Sequence, residues 1–250
     1  CENLTSKLLQ IYDLNMTVAG ELKALANPRR AFELQRFFKT AKGQYGEGDI
    51  FLGLTVPEVR KIAARHKKLP FNEIEKLTSS KFHEFRLCGL VILTLQYKAS
   101  KERDEQKKIF NFYMKQAKAG YVNNWDLVDV TAPIIGAYLV GENDPYPLLE
   151  KLALSKSLWE RRLAIIFTFA FIRAGELDPT IEISQKLLKD EHDLIHKAVG
   201  WMLREAGKKD GLLLRTFLTA NASQMPRTML RYSIEKFSES ERKKWLNYSN

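Results

Sequence analysis

The sequence is poor in the residues that interrupt or cross-link a chain. Its 250 residues include 13 glycines and 8 prolines, about 8% together, where an average protein has about 12%. It has two cysteines, Cys1 and Cys88, and no CxxC pair. Few turn-forming residues disfavour a β-sandwich, and two cysteines cannot build a disulfide framework or a zinc ribbon. We therefore expect a helical protein from a reducing compartment.

Long apolar runs are also missing. The longest nearly apolar stretch, Leu163 to Ile172, has half of the about 20 residues that a membrane-spanning helix needs. No secretory signal opens the sequence, and Cys1 in place of Met suggests that the natural start lies upstream. We expect no membrane association.

Several catalytic signatures are absent or incomplete. His192 to His196 has the H-x-x-x-H spacing of zinc peptidases, but Asp193 stands where they have glutamate, and no third ligand is evident. The Gly43–Gly48 segment lacks the G-K-[ST] ending of a phosphate-binding loop. No serine–histidine or cysteine–histidine arrangement is legible, and no lysine stands out as a nucleophile. The sequence predicts no metal and no other cofactor.

Positive charge is in excess. Lys and Arg number 40 against 30 Asp and Glu, which gives a net charge of +10. The basic residues are spread along the chain instead of forming a tail, a distribution that favours an extended contact surface for a polyanion such as nucleic acid. The alternative is a soluble protein that is simply basic.

Apolar residues recur at helical spacing almost throughout, and most prolines fall where helices should start. The pattern predicts five helix pairs, over about 70–100, 103–140, 144–175, 178–208 and 210–238. Their second helices resemble one another at a period of roughly 35–38 residues, typical of stacked helical hairpins. We predict one all-α domain over 1–250, a HEAT-like helical-repeat solenoid with a concave basic face. An irregular helical bundle is the alternative.

Superposing the repeats brings four chemically distinctive side chains onto one arc. If Asn124, Arg162 and Lys197 occupy equivalent positions in successive repeats, the four distinctive side chains lie within about five residues of each other along the helix axes, roughly 7–8 Å. They are Trp125, Asp129, Arg162 and Trp201. Each also has a purely structural interpretation: core tryptophans, a helix cap and a surface ion pair. Pro133 predicts either a kink after Asp129 or a new helix at Thr131.

Four segments carry a resemblance to a known family. They are KTAKGQYGEGDIFLGLTVPEVRKIA (Lys39 to Ala63), NNWDLVDVTAP (Asn123 to Pro133), LWERRLAI (Leu158 to Ile165) and HKAVGWMLREAGK (His196 to Lys208). WDLVD and AVGWMLRE are the specific parts, and the similarity runs from about Glu33 to the end. The chain resembles the AlkD-type alkylpurine DNA glycosylases, which are built from HEAT-like repeats.

The resemblance implies a role for each of the four residues. Asp129 would stabilise an oxocarbenium-like sugar and orient water, and Trp125 and Trp201 would attract the same cation. Arg162 would hold a phosphate. The implied reaction is monofunctional hydrolysis of N3- or N7-alkylated purines in double-stranded DNA, without a base-flipping pocket. The alternative is a non-catalytic HEAT-like module that binds DNA or protein.

Further expectations complete the interpretation. Basic residues would contact DNA, namely Arg162, Lys197, Arg204, Lys61 and Arg86. Asp126 would face solvent and supply no general acid. Phe37 stands near a position where the relatives have tyrosine, which puts a polar contact in doubt. By the same resemblance we expect a monomer in the bacterial cytoplasm or nucleoid.

Overall fold

The protein is all-helical. A computed structural model describes residues 17–248, and within them fourteen α-helices occur with no β-strand, only one isolated parallel bridge between Ile50 and Phe82. The predicted all-α class is confirmed. The chain divides into two compact units, Cys1–Leu127 and Val128–Asn250. The prediction of one domain over 1–250 stays a prediction. Cys1 lies outside the described residues.

The first unit contains six helices and the start of a seventh. They are α1 (Val18–Ala24), α2 (Pro28–Phe37), α3 (Val56–Arg65), α4 (Phe71–Thr78), α5 (His83–Ala99), α6 (Arg103–Lys118) and α7 (Trp125–Ile135). Helix α5 packs against α1, α3, α4 and α6, and residues 83–94 are all buried; the apolar stretch 87–93 covers the whole circumference of the helix. The boundary between the units falls inside α7.

The second unit consists of the rest of α7 and seven further helices. After a 3₁₀ turn at Gly136–Tyr138 come α8 (Tyr146–Ala153), α9 (Leu158–Ala174), α10 (Asp178–Lys186), α11 (Asp193–Lys209), α12 (Gly211–Asn221), α13 (Arg227–Ser233) and α14 (Glu239–Leu246). Helices α9 and α11 pack side by side, with α8 and α10 against α9 and with α12 and α13 against α11. Gly200 permits the close approach of α11 and α13, because a Cβ there would lie 2.5 Å from the Met229 carbonyl oxygen.

Local signals explain where the helices begin and end. The Thr55 side chain accepts a hydrogen bond from the Glu58 amide, and the Glu58 carboxylate accepts one from the Thr55 amide, a capping box that starts α3. The Ser157 side chain caps α9 by accepting from the Glu160 amide, and Gly175 ends that helix with a φ of 89°. Pro179 lies in the first turn of α10, as the sequence predicted.

The predicted helix pairs are confirmed in their bounds. Helices α4 and α5 fill 70–100, α6 and α7 fall in 103–140, and the last three pairs are α8 with α9, α10 with α11, and α12 with α13. The periodicity succeeded because each hairpin is a local unit with its own caps and apolar stripe. In the described part of the chain, no helix is long and apolar enough to cross a membrane.

Candidate functional site

Trp125 opens α7 and is packed in the first unit between aromatic rings. The ring of Phe38 stacks on the indole at 5.2 Å between centroids and 14° between planes, and Phe37 meets it edge-on at 6.0 Å. The Trp125 amide donates to Oδ1 of the buried Asn124 at 2.9 Å. The half-buried indole is therefore held by ring contacts and by a backbone tether.

A buried group of charged residues lies beside this aromatic cluster. Asp49 accepts hydrogen bonds from Arg86 at 2.5 Å, His83 Nδ1 at 3.2 Å and Asn124 at 3.1 Å. The other ring nitrogen of His83 lies 2.8 Å from an oxygen of Asp126. All five side chains are buried. We call them the His83 cluster.

The His83 cluster sets the ionisation of its members. Burial by itself would lower the pKa of His83, but the charge and hydrogen bond of Asp126 and the hydrogen bond to Asp49 outweigh it and raise the pKa to about 9. Burial would raise the pKa of Asp49, yet the hydrogen bond from His83 and the charge of Arg86 bring it below its ordinary value. His83 is therefore an imidazolium at neutral pH.

Two predictions about this region are wrong. Asp126 was expected to face solvent, but its carboxylate is buried against His83. Arg86 was expected to contact DNA, but it is 3% exposed and donates to Asp49 and to the Ser80 carbonyl. Both errors have one physical cause: a charged side chain enters a core when a distant residue neutralises it.

Asp129 and Arg162 form an ion pair within the second unit. Arg162 Nε donates to one carboxylate oxygen at 2.9 Å and Nη2 to the other at 2.7 Å, while Nη1 donates to the Leu194 carbonyl on α11. The Arg162 side chain is 5% exposed and that of Asp129 is 19% exposed. The planar fork thus orients the carboxylate and leaves part of it accessible to water.

This geometry corrects the predicted role of Arg162 and the predicted register. The two-pronged edge of the guanidinium faces Asp129, so Arg162 is a partner of the carboxylate instead of a bidentate phosphate contact. Asn124 precedes α7, whereas Asp129 occupies the fifth residue of α7, as Arg162 does in α9. The equivalent of Arg162 in the repeat is therefore Asp129. Pro133 lies inside a helix that continues to Ile135, so no new helix starts at Thr131.

Trp201 lies on α11 and packs against α9. Its ring centroid is 5.8 Å from that of Phe169, and the guanidinium of the exposed Arg173 lies 4.3 Å above the Phe169 ring. Trp201 is half-buried. A partly accessible indole with a fixed face is suited to contact a sugar or a cation.

The sequence matches the family model of DNA alkylation repair enzymes over residues 18–237. The chain belongs to this family. Among proteins of curated function, none matches the sequence. One similar solved structure is described as a predicted DNA alkylation repair enzyme from Enterococcus faecalis. It is 15% identical, covers 86% of this chain and 97% of its own, and has a TM-score of 0.65, a likeness that shows a shared fold.

The other basic residues that were expected to contact DNA differ in accessibility. Lys61 is exposed on α3. Lys197 has a 41% exposed side chain that pairs with Asp193 four residues earlier. Arg204 is mostly buried and is bonded to Glu205 and Glu235. Lys61 and Lys197 can reach a phosphate without breaking a buried contact, whereas Arg204 cannot.

Other sequence motifs have structural partners. His192 caps α11 by accepting from the Leu194 amide, and His196 bonds to the Asp190 carbonyl. Among residues 17–248, no group of three or more His, Cys, Asp or Glu side chains is placed so that it could hold a metal ion. In the glycine-rich segment, the Gly43 amide donates to Glu47 at 2.7 Å.

Sequence reasoning missed Asp49, His83 and Phe38 as neighbours of Trp125. Asp49 closes a loop and His83 begins a helix, so neither shows a spacing that links it to α7. The doublet Phe37-Phe38 ends a helix in which no residue is buried. An apolar doublet at the end of an exposed helix was the one available signal.

Proposed function

We propose that the protein is a monofunctional DNA glycosylase that hydrolyses the N-glycosidic bond of cationic N3- or N7-alkylated purines in duplex DNA. The observation that carries this proposal is the carboxylate of Asp129, oriented by both arms of a buried Arg162 and still partly exposed. Membership of the DNA alkylation repair family supports DNA as the substrate.

The substrate's own charge explains why one carboxylate is sufficient. An alkylated purine with a positive ring leaves as a neutral base, so no acid is needed to protonate it. The sugar left behind has oxocarbenium character and needs a negative group and a water molecule. The Asp129 carboxylate is bonded at both oxygens to Arg162 and its side chain is 19% exposed. We assign water positioning and cation stabilisation to the exposed part.

Preorganisation is the contribution of Arg162. A guanidinium that is always charged faces both oxygens of Asp129 and fixes the plane of the carboxylate, so the carboxylate does not reorient as the sugar becomes positive. The Leu194 carbonyl holds the third donor of Arg162, which anchors the guanidinium to α11. Trp201, supported by Phe169 of the same unit, would present its aromatic face to the sugar cation. The same role for Trp125, which is supported by Phe38, stays a prediction from the family resemblance. The reaction needs no base-flipping pocket if the sugar is attacked in place.

Base release from a defined duplex tests the proposal. A duplex with one N7-methylguanine is incubated with the protein, and free base and abasic sites are measured. Asp129→Asn should lower the rate by on the order of 10²–10³ while DNA binding persists. Asp104→Asn is the matched control, because it removes one negative charge from an exposed side chain on α6.

The outcomes separate the candidates. No release by the unaltered protein, together with tight DNA binding, would favour the non-catalytic binding module. Equal rates for Asp129→Asn and Asp104→Asn would remove Asp129 from the chemistry. A parallel duplex with hypoxanthine or uracil should remain intact, and efficient excision of either would require a general acid that the proposal lacks.

A further inference from the structure

The His83 cluster places two carboxylates, a guanidinium and an imidazole in the core of the first unit. Buried charges are expensive to desolvate, and well-packed apolar residues often stabilise a core as well. Perturbed ionisable groups also tend to occur at functional sites. The proposed reaction assigns no role to this cluster, although its members surround the start of the helix that carries Trp125.

Two sets of contacts connect His83 to Trp125. The first is a series of rings: Phe38 lies 5.2 Å from His83 and is stacked at 5.2 Å on Trp125. Phe51 covers the imidazole at 4.5 Å and also stacks on Phe38 at 4.9 Å. The position of the imidazole therefore determines where the ring that supports the indole can lie.

The second set consists of hydrogen bonds. His83 Nδ1 and Asn124 Nδ2 approach the same oxygen of Asp49, at 3.2 and 3.1 Å. The carbonyl of the Asn124 side chain then accepts the Trp125 amide at 2.9 Å. Asp126, one residue after Trp125, binds the other nitrogen of His83. His83 thus reaches both sides of the α7 start, Asp126 directly and Asn124 through Asp49.

These hydrogen bonds require a charged ring. Each nitrogen of His83 faces a carboxylate oxygen, and only an imidazolium donates from both nitrogens. The charged groups that face it are Asp49, Asp126 and Arg86. The neighbouring Glu84 carboxylate is turned to the amides of residues 52–54. Loss of the proton would place a ring lone pair against one carboxylate and break one tether.

We propose that His83 is a positioning residue which, as an imidazolium bonded to Asp49 and Asp126, holds the indole of Trp125 in the orientation that base release requires. This inference rests on the proposed glycosylase function for its catalytic part. Its structural part, the control of the Trp125 environment by the charge on His83, can be measured without activity.

Fluorescence of Trp125 tests the structural part. The contribution of Trp125 is obtained by subtracting the spectrum of Trp125→Phe from that of the unaltered protein between pH 6 and 10. We expect a transition with a midpoint near pH 9, where His83 loses its proton. The same difference spectrum taken in a His83→Gln background should show no such transition, although the tyrosines are the same.

A second ion-pair cluster supplies the control. Glu21 bonds to Arg65 and His66, just as Asp49 bonds to Arg86 and His83, and none of its hydrogen bonds reaches Trp125 or Asn124. Glu21→Gln should leave the pH 9 transition in place. Should His83→Gln fail to fold, Asn124→Ala keeps His83 with both of its carboxylate partners and removes the hydrogen bonds of the Asn124 side chain to the Trp125 amide and to Asp49. It should shift the Trp125 emission and keep the midpoint.

The catalytic part is tested by the pH dependence of base release. The maximal rate should fall about tenfold per pH unit above pH 9 in the unaltered protein, and His83→Gln should be slow and flat across the same range. The Michaelis constant should change less than twofold. A Trp125 spectrum that is constant from pH 6 to 10 would overturn the positioning role. A clear transition in a protein that releases no base would instead refute the proposed function and leave the structural part standing.

Discussion

The charge on His83 should make the stability of the protein fall as the solution becomes alkaline. A folded-state pKa of about 9, above the ordinary value of 6.5, stabilises the fold fully below pH 6.5. That contribution is lost as the pH rises through 9, because the folded state then releases the proton that the unfolded state has already lost. Asp49 has the opposite effect on the pH dependence of stability. Its lowered pKa stabilises the fold at pH values above the ordinary pKa of an aspartate, and this stabilisation is lost only in acid.

The size of the effect follows from the same values. A pKa of about 9 in place of 6.5 corresponds to about 3 kcal/mol of free energy of unfolding at pH 6, about 2 kcal/mol at pH 7.5 and almost none at pH 10. Domains are stable by roughly 5–15 kcal/mol, so the change is readily measured. Burial raises the pKa of Cys88 to about 12, which weakens the fold above pH 9 in any variant that keeps this thiol.

Urea denaturation followed by circular dichroism measures this contribution. The free energy of unfolding is determined at pH 6, 7.5, 9 and 10 for the unaltered protein and for His83→Gln. The difference between them should shrink by about 3 kcal/mol from pH 6 to pH 10, because Cys88 and the tyrosines cancel. A difference that is constant with pH would refute the view that His83 is a buried imidazolium.

Three further outcomes are expected. Gly200→Ala should lower the free energy of unfolding by about 2 kcal/mol or more, because its Cβ would clash with the Met229 carbonyl oxygen; thermal unfolding measures this, and an unchanged midpoint would contradict the close packing. Arg162→Lys cannot hold both oxygens of Asp129, so base release should fall by on the order of 10²-fold with unmodified DNA still bound; an unchanged rate would remove the orienting role. The logarithm of the DNA association constant should fall with the logarithm of salt concentration at a slope of roughly −5 if five or six phosphates are neutralised, and fluorescence anisotropy that shows a slope near zero would exclude DNA as the partner.

The helices could be predicted from the sequence because their determinants are local. Thr55 with Glu58, Ser157, and the prolines at helix starts all act within one turn, and the apolar stripes repeat every three or four residues. The hairpin bounds therefore agree with the structure. The division into two units could not be predicted from the sequence, because its boundary lies inside α7 and no linker composition marks it.

The residues that surround Trp125 could not be predicted, because their determinants are distant in sequence. Asp49 lies 37 residues before Arg86 and 75 before Asn124. In the sequence, each of these three polar residues looks like an ordinary surface residue, because the burial of any one depends on the presence of the others. The register of the repeat failed for a related reason: Asn124 lies before α7, so the helical position that Arg162 holds in α9 falls at Asp129, five residues later than the superposition assumed.

Asp126 and Asp129 show how two carboxylates three residues apart acquire different chemistry from their surroundings. Asp126 is 5% exposed and bonded to an imidazolium, which excludes it from contact with a substrate. Asp129 is bonded to Arg162 by one edge, and a fifth of its side chain is accessible to water. When the surroundings of two titratable groups differ in this way, they determine which of the two can act on a substrate. In the proposed reaction Asp129 is the carboxylate that acts, and Asp126 fixes the start of α7 through His83. The protein was expected to lack a general acid because Asp126 pointed away into solvent. The same expectation follows from its burial, and under the proposed function a single oriented carboxylate requires a cationic leaving group.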